Sequence, residues 1–200
     1  MNLLHALLIA FGLFSGDAGP PEAAFHARVY DTITKMCPAT SPARLARYAR
    51  VIARAALERD DPEATAEALL GIGAHETCFT VERQRGGPAV GAWQVEVHVP
   101  GDRPDAEWER WTETEMLVAD PHAAARAALR VLDACHGDLR CYATGSSRGG
   151  RTARGNAVTA QLAACVAVAG KGMRQENGVG PCRAWYKEPV KQHRKHKRGR

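Results

Sequence analysis

The segment Ala74-His75-Glu76-Thr77-Cys78-Phe79 gathers side chains able to do acid–base chemistry. Glu76 ends a stretch, Leu69 to Ala74, that is otherwise apolar. An ionised carboxylate is costly to bury in such surroundings, so its pKa is expected to rise, as a general acid at neutral pH requires. The same position also suits an ordinary surface glutamate at a helix end, and structural carboxylates outnumber catalytic ones. His75-Glu76 could open the His-Glu-x-x-His signature of zinc proteases, but Phe79 stands where the second histidine belongs. The six cysteines contain no Cys-x-x-Cys pair and match no zinc-site spacing. No metal and no cofactor are therefore expected.

Two further blocks follow Glu76. Pro88-Ala89-Val90-Gly91-Ala92-Trp93-Gln94 puts Gln94 18 residues after Glu76. Cys141-Tyr142-Ala143-Thr144-Gly145 comes later, after a helical stretch. The three blocks, in this order, resemble the soluble lytic transglycosylase family, relatives of goose-type lysozyme. That family has a catalytic Glu followed by Ser, then an aromatic two positions on. It continues to Gly-Ala-x-Gly-Leu-Met-Gln, and after a helix to Ala-Tyr-Asn-Ala-Gly. Here Thr77 keeps the hydroxyl and Phe79 the aromatic, while Ala89, Gly91, Gln94, Tyr142 and Gly145 match outright. Pro88, Ala92, Trp93 and Ala143 depart from the pattern. The resemblance covers about Pro62 to Gly145, less than half of the chain.

The resemblance implies a mainly α, lysozyme-like fold with a short β-hairpin or extended segment beside the active-site cleft. It implies Glu76 as the catalytic residue, general acid and then general base. It places Thr77, Gly91, Trp93, Gln94 and Tyr142 in substrate binding. Gln94 would contact the sugar backbone, and Tyr142 would hydrogen-bond near Glu76 and help orient it. Gly91 would let the backbone approach substrate, as a residue without Cβ can. Trp93 would either line the cleft and stack on sugar or pack in the core, since Trp does both. The implied activity cleaves the MurNAc-GlcNAc β-1,4 bond of peptidoglycan with a single carboxylate. The muramic C6 hydroxyl attacks C1, and the product is a 1,6-anhydro end. A lysozyme-type hydrolase would need a second carboxylate to hold a water; Glu82, Glu96, Asp102 and Asp105 are the nearby candidates. A non-catalytic wall-binding protein that keeps the cleft is the remaining alternative.

These residues need a scaffold, and the sequence marks one. Gly19 to Glu22 reads as a Pro/Gly linker and Ala23 to Met36 as a first helix. Ser41-Pro42 and Asp61-Pro62 open the next two, with a capping residue before a proline at the first helical position. Leu45, Tyr48, Ile52 and Ala56 form an apolar stripe on the second. The third runs to Glu76. Thr80 to Pro100 reads as a loop with a short hairpin or extended strand, followed by a polar turn at Asp102 to Asp105 and a short helix with Trp108 and Trp111. Asp120-Pro121 opens another helix, with Gly137 as its stop. A last helix is expected from about Asn156 to Ala169, ending at Gly170, with a tail beyond.

The N-terminal run Leu3 to Phe14 has the length of a signal-peptide core, with small residues at Gly16-Asp17-Ala18 for cleavage. It lacks the usual leading Lys or Arg, and the alternative is a buried helix. The chain thus divides into a leader over 1–18, a lysozyme-like domain over 19–186 and a basic tail over 187–200. Lys191 to Arg200 holds six Lys/Arg and no acid; removing them from the net charge of +5 leaves −1 elsewhere. The tail suits a solvated end or adhesion to a polyanion. Six cysteines after the leader suggest disulfides in an exported protein, with pairing left open beyond the closeness of Cys135 and Cys141. The expected location is periplasmic, cell-envelope or extracellular. The expected partners are peptidoglycan glycan strands and, through the tail, anionic envelope polymers. No specific nucleic-acid partner is expected, and the chain is expected to act as a monomer.

Overall fold

Start signals of one kind set three of the helices. In the computed structural model, which describes residues 20–80, 89–96, 114–144 and 153–182, α2 (Pro42–Leu57), α3 (Pro62–Glu76) and α5 (Pro121–Ala134) each begin at the proline read from sequence. The Asp61 carboxylate accepts from Ala64 N–H and the Asp120 carboxylate from His122 N–H. These caps satisfy backbone donors that a helix start leaves unpaired. Ser41 precedes α2 but makes no side-chain cap. The other helices are α1 (Pro20–Met36), α4 over 114–119, α6 (Leu139–Thr144) and α7 (Ala153–Met173). The protein is mainly helical, with one antiparallel hairpin, β1 (Ala89–Val90) and β2 (Val95–Glu96), in register Ala89 to Glu96 and Val90 to Val95.

Helix α3 is the centre. It lies against α1, α2, α5 and, most extensively, α7. A helix covered on so many sides must be apolar nearly all round, and Leu69, Leu70, Ile72 and Ala74 are all buried. Its glycines make room. A Cβ on Gly71 would lie 2.5 Å from Val166 Cα in α7, and one on Gly73 would lie 2.3 Å from the Phe79 ring. The α2 stripe of Leu45, Tyr48, Ile52 and Ala56 is buried as expected.

Three expectations change. Pro20 to Glu22 is the first turn of α1 rather than a linker. Helix α7 does not stop at Gly170 but runs to Met173. A Cβ on Gly172 would meet Thr32 of α1 at 2.4 Å, so the glycine there permits close helix contact instead of ending the helix. The stretch beyond Gly170 is not a free tail up to residue 182, because Cys182 is buried, bonded to Cys165, and donates its N–H to Met36 O at 3.0 Å. Gly137 does stop α5: it has φ +76° and donates to Leu132 O at 2.9 Å. The disulfides are Cys37–Cys78, Cys135–Cys141 and Cys165–Cys182. The leader, the Gly86-Gly87-Pro88 loop, the Trp108–Trp111 helix, Gly145 and the tail over 187–200 lie outside the described residues. No helix among the described residues is long and apolar enough to cross a membrane.

Candidate active site

From Leu69 to Phe79 every residue is buried except Glu76, whose side chain is 17% exposed. The chain then turns sharply. Cys78 and Phe79 both take left-handed backbone conformations, at φ 50° and 58°. Each costs a non-glycine residue about 1–2 kcal/mol, so other contacts must hold the turn. Cys78 is bonded to Cys37, and its carbonyl accepts from Thr40 Oγ1 at 2.7 Å. Arg44 donates to Thr80 O at 2.8 Å. The Phe79 ring packs with Tyr48 and Trp93, at centroid distances of 5.0 and 6.0 Å. The strain sits directly after the candidate acid and is countered by a covalent link and an aromatic trio.

The second block docks onto this turn. Thr77 Oγ1 donates to Ala92 O at 3.0 Å and accepts from Phe79 N–H at 3.0 Å. Thr77 is buried, so its hydroxyl joins α3 to the hairpin and has no free surface for substrate. Trp93 is fully buried; its Nε1–H donates to Leu69 O at 2.8 Å. It belongs to the core and has no exposed face with which to stack on sugar. Gly91 is also buried, and its φ of +77° is what requires glycine in the turn between β1 and β2. A Cβ there would make ordinary contact with Ala124 and the Leu117 carbonyl, at 3.5 and 3.8 Å. Gln94 is half-buried, with φ 50°, and its amide donates to Gly91 O at 2.8 Å.

The third block arrives on α6, a helix too short to show periodicity in the sequence. Tyr142 donates its hydroxyl proton to Trp93 O at 2.9 Å. Burial pushes the Tyr142 pKa well up, and the negative charge of Glu76 adds to the effect. The phenol therefore stays protonated and can donate, close enough to Glu76 to feel its charge. Glu76, Tyr142 and the turn ending at Gln94 form one neighbourhood, while Thr77, Gly91 and Trp93 form its supporting layer.

Sequence reasoning weighed His75 only as a metal ligand. In the structure it is completely buried, with Nδ1 3.2 Å from Glu76 Oε1. Among the described residues no three His, Cys, Asp or Glu side chains come together as a metal site would need. Glu96, a candidate second carboxylate, is exposed at the end of β2; Glu82, Asp102 and Asp105 lie outside the described residues. A separate hollow lies between α2 and the start of α5, lined by Arg47, Arg50, Val51, Ala119, Asp120, Pro121 and His122. There the Asp120 carboxylate accepts the His122 N–H through Oδ1 as the cap of α5. No protein-family model matches the chain, and no curated protein or solved structure matches it significantly.

Proposed function

We propose that the protein is a peptidoglycan lytic transglycosylase with a lysozyme-like fold and Glu76 as its acid–base residue. One observation carries the reading. In a wholly buried stretch of α3 and the turn after it, the one residue that surfaces is a carboxylate, and a phenol from a distant block lies close enough to feel its charge. The three blocks that suggest the family from sequence are also neighbours in space: Thr77 bonds to Ala92, and Tyr142 bonds to Trp93.

In this reading the protonated Glu76 gives its proton to the glycosidic oxygen as the C1–O bond breaks. The resulting carboxylate accepts the proton of the muramic C6 hydroxyl as that oxygen bonds to C1. One chain ends in a 1,6-anhydro sugar, the other in a free hydroxyl, and Glu76 returns to its starting state. Tyr142 keeps its proton throughout and holds the Trp93 carbonyl, and with it the hairpin turn, against Glu76. Gln94 is the half-exposed residue of that turn and is left to meet the glycan. Three disulfides suit an oxidising compartment such as the cell envelope, where the glycan would be found. The basic end over Lys191 to Arg200 would add attraction to anionic envelope polymers.

The test is Glu76→Gln on purified sacculi, with released muropeptides read by mass spectrometry. The wild type should release anhydro ends. The variant should melt at the same temperature and lose about 10²–10⁴-fold in rate, the usual loss with a general acid. Reducing ends in place of anhydro ends would make the protein a hydrolase. Release of nothing by the wild type would remove the enzymatic reading.

A further inference from the structure

Buried polar atoms are nearly always hydrogen-bonded, so an exception calls for a reason. His75 is such an exception. Its side chain has no exposed surface, and its Nε2 has no hydrogen-bond partner. Its other nitrogen, Nδ1, faces Glu76 Oε1 at 3.2 Å. A core position would be filled at lower cost by an apolar residue, since a buried, unpaired polar atom gives up its hydration and gains no partner. What the imidazole gains in return is the contact with Glu76.

The chemistry of the pair fixes its polarity. If the acid is to hold its proton on Oε2, Oε1 is left as an acceptor whether or not the carboxyl is charged, so the ring nitrogen facing it must carry a proton. Nε2 is then a buried lone pair without a hydrogen-bond partner among the described residues. The opposite tautomer would leave an N–H donor buried without an acceptor, and would set two acceptors against each other at 3.2 Å. The arrangement thus works in one sense: Nδ1–H donates and Oε1 accepts.

We propose that His75 is a positioning residue for Glu76: its Nδ1–H holds Oε1 and leaves Oε2 as the oxygen that exchanges a proton with substrate. The catalytic part of this rests on the transglycosylase reading above; the hydrogen-bond part does not. Glu76 ends a helix and is partly exposed, so without a fixed point its carboxylate would sample several rotamers. Acid catalysis requires the proton to be aimed at one oxygen of the substrate, within hydrogen-bond reach. Being adjacent in sequence, His75 is carried by the same backbone and keeps its relation to Glu76 wherever the helix end moves. It never touches substrate, because it is buried.

Two measurements test the proposal. The first needs no activity: nitrogen-15 NMR of the wild type in neutral buffer should show His75 protonated at Nδ1 and bare at Nε2. A proton on Nε2 with Nδ1 bare overturns the proposal, whatever the protein catalyses. The second compares two substitutions. Phe keeps the volume and discards both nitrogens; Asn loses the volume but keeps an N–H donor close to the place of Nδ1. His75→Phe should melt no lower than wild type, yet lose at least about tenfold in kcat with KM unchanged, less than the about 10²–10⁴-fold of losing the acid itself. His75→Asn should melt lower than His75→Phe and yet turn over faster. If Phe is not accommodated, His75→Leu takes its place against Asn. A purely structural histidine predicts that activity follows stability, with Phe at or above Asn. That order, in a wild type that is active on sacculi, overturns the proposal. An inactive wild type counts against the transglycosylase reading instead, and the NMR result then decides the hydrogen bond alone.

Discussion

Helix α3 makes two close contacts of opposite character. In its middle, Gly71 lets the backbone of α7 approach so closely that a Cβ would sit 2.5 Å from Val166 Cα. At its end, Gly73 makes room for the Phe79 ring, and the helix closes at Glu76 before the turn over Thr77 to Phe79. The first contact is held by shape alone. The second is held by the Cys37–Cys78 disulfide, the hydroxyls of Thr40 and Thr77, and the rings of Tyr48, Phe79 and Trp93. The two glycines are two residues apart, and so point to roughly opposite sides of the helix. Each lowers helix propensity by about 1 kcal/mol relative to alanine, which the packing on its own side must offset. Packing by shape tolerates no added atoms but carries no chemistry. The polar, strained junction sets the direction of specific groups. Perturbing the first should therefore cost stability alone, and perturbing the second should cost stability and site geometry together.

The largest expected effect is at Trp93. Truncation to Ala removes a fully buried indole and should cost about 3–5 kcal/mol, as large-to-small changes in cores do. Trp93→Phe is the sharper experiment. It keeps an aromatic ring in the trio and loses the Nε1–H bond to Leu69 O. It should lower the melting temperature and leave KM on glycan unchanged, because the wild-type ring has no exposed surface. A normal melt with a raised KM would instead put Trp93 in contact with substrate and erase the division between site and support.

Next in size is Gly71→Ala. Helix propensity favours it by about 1 kcal/mol, but overpacking of a filled contact costs about 1–3 kcal/mol. The atoms in the way are Val166 Cα and N, backbone that no rotamer change can move. The net change should be destabilising in a denaturant titration. Turnover per folded molecule should stay at the wild-type value. A loss of turnover larger than the loss of folded protein would show that the mid-helix contact also sets the site.

Much of this division was hidden in the sequence. The starts of α2, α3 and α5 were legible because Asp-Pro and Ser-Pro carry a local mechanism, and the hairpin because the stretch from Thr80 to Pro100 loses the helical pattern. Gly170 misled, because a glycine that ends a helix and one that lies within it are the same residue; here a Cβ would come within about 3.0 Å of the Glu67 carboxylate of α3. Helix α6 has too few residues to show a period, so Tyr142 was found by motif alone. Glu76 was legible as a carboxylate in apolar surroundings. The burial of Thr77, Gly91 and Trp93 was not, since it depends on α2 and α5 closing over the hairpin turn. The role of His75 was obscured by its place in an incomplete zinc signature.

The finest comparison falls on Thr77, where the polar half can be separated from the apolar half. Its Oγ1 both donates to Ala92 O and accepts from Phe79 N–H. Thr77→Val keeps the shape and removes both bonds, leaving a buried carbonyl and a buried N–H unpaired at that side; this should cost about 1–3 kcal/mol. Thr77→Ser keeps both bonds and removes one buried methyl group, a loss of about 0.8 kcal/mol. Serine is also the residue that the transglycosylase pattern carries after its Glu, so the Ser variant should remain active. Urea midpoints should therefore rank wild type, then Ser, then Val, with turnover following the same order because the bonds fix the hairpin against Glu76. If Val proves as stable as Ser, the hydroxyl contacts do not hold the junction. The turn after Glu76 would then be held by the disulfide, the aromatic packing and the bonds from Thr40 and Arg44.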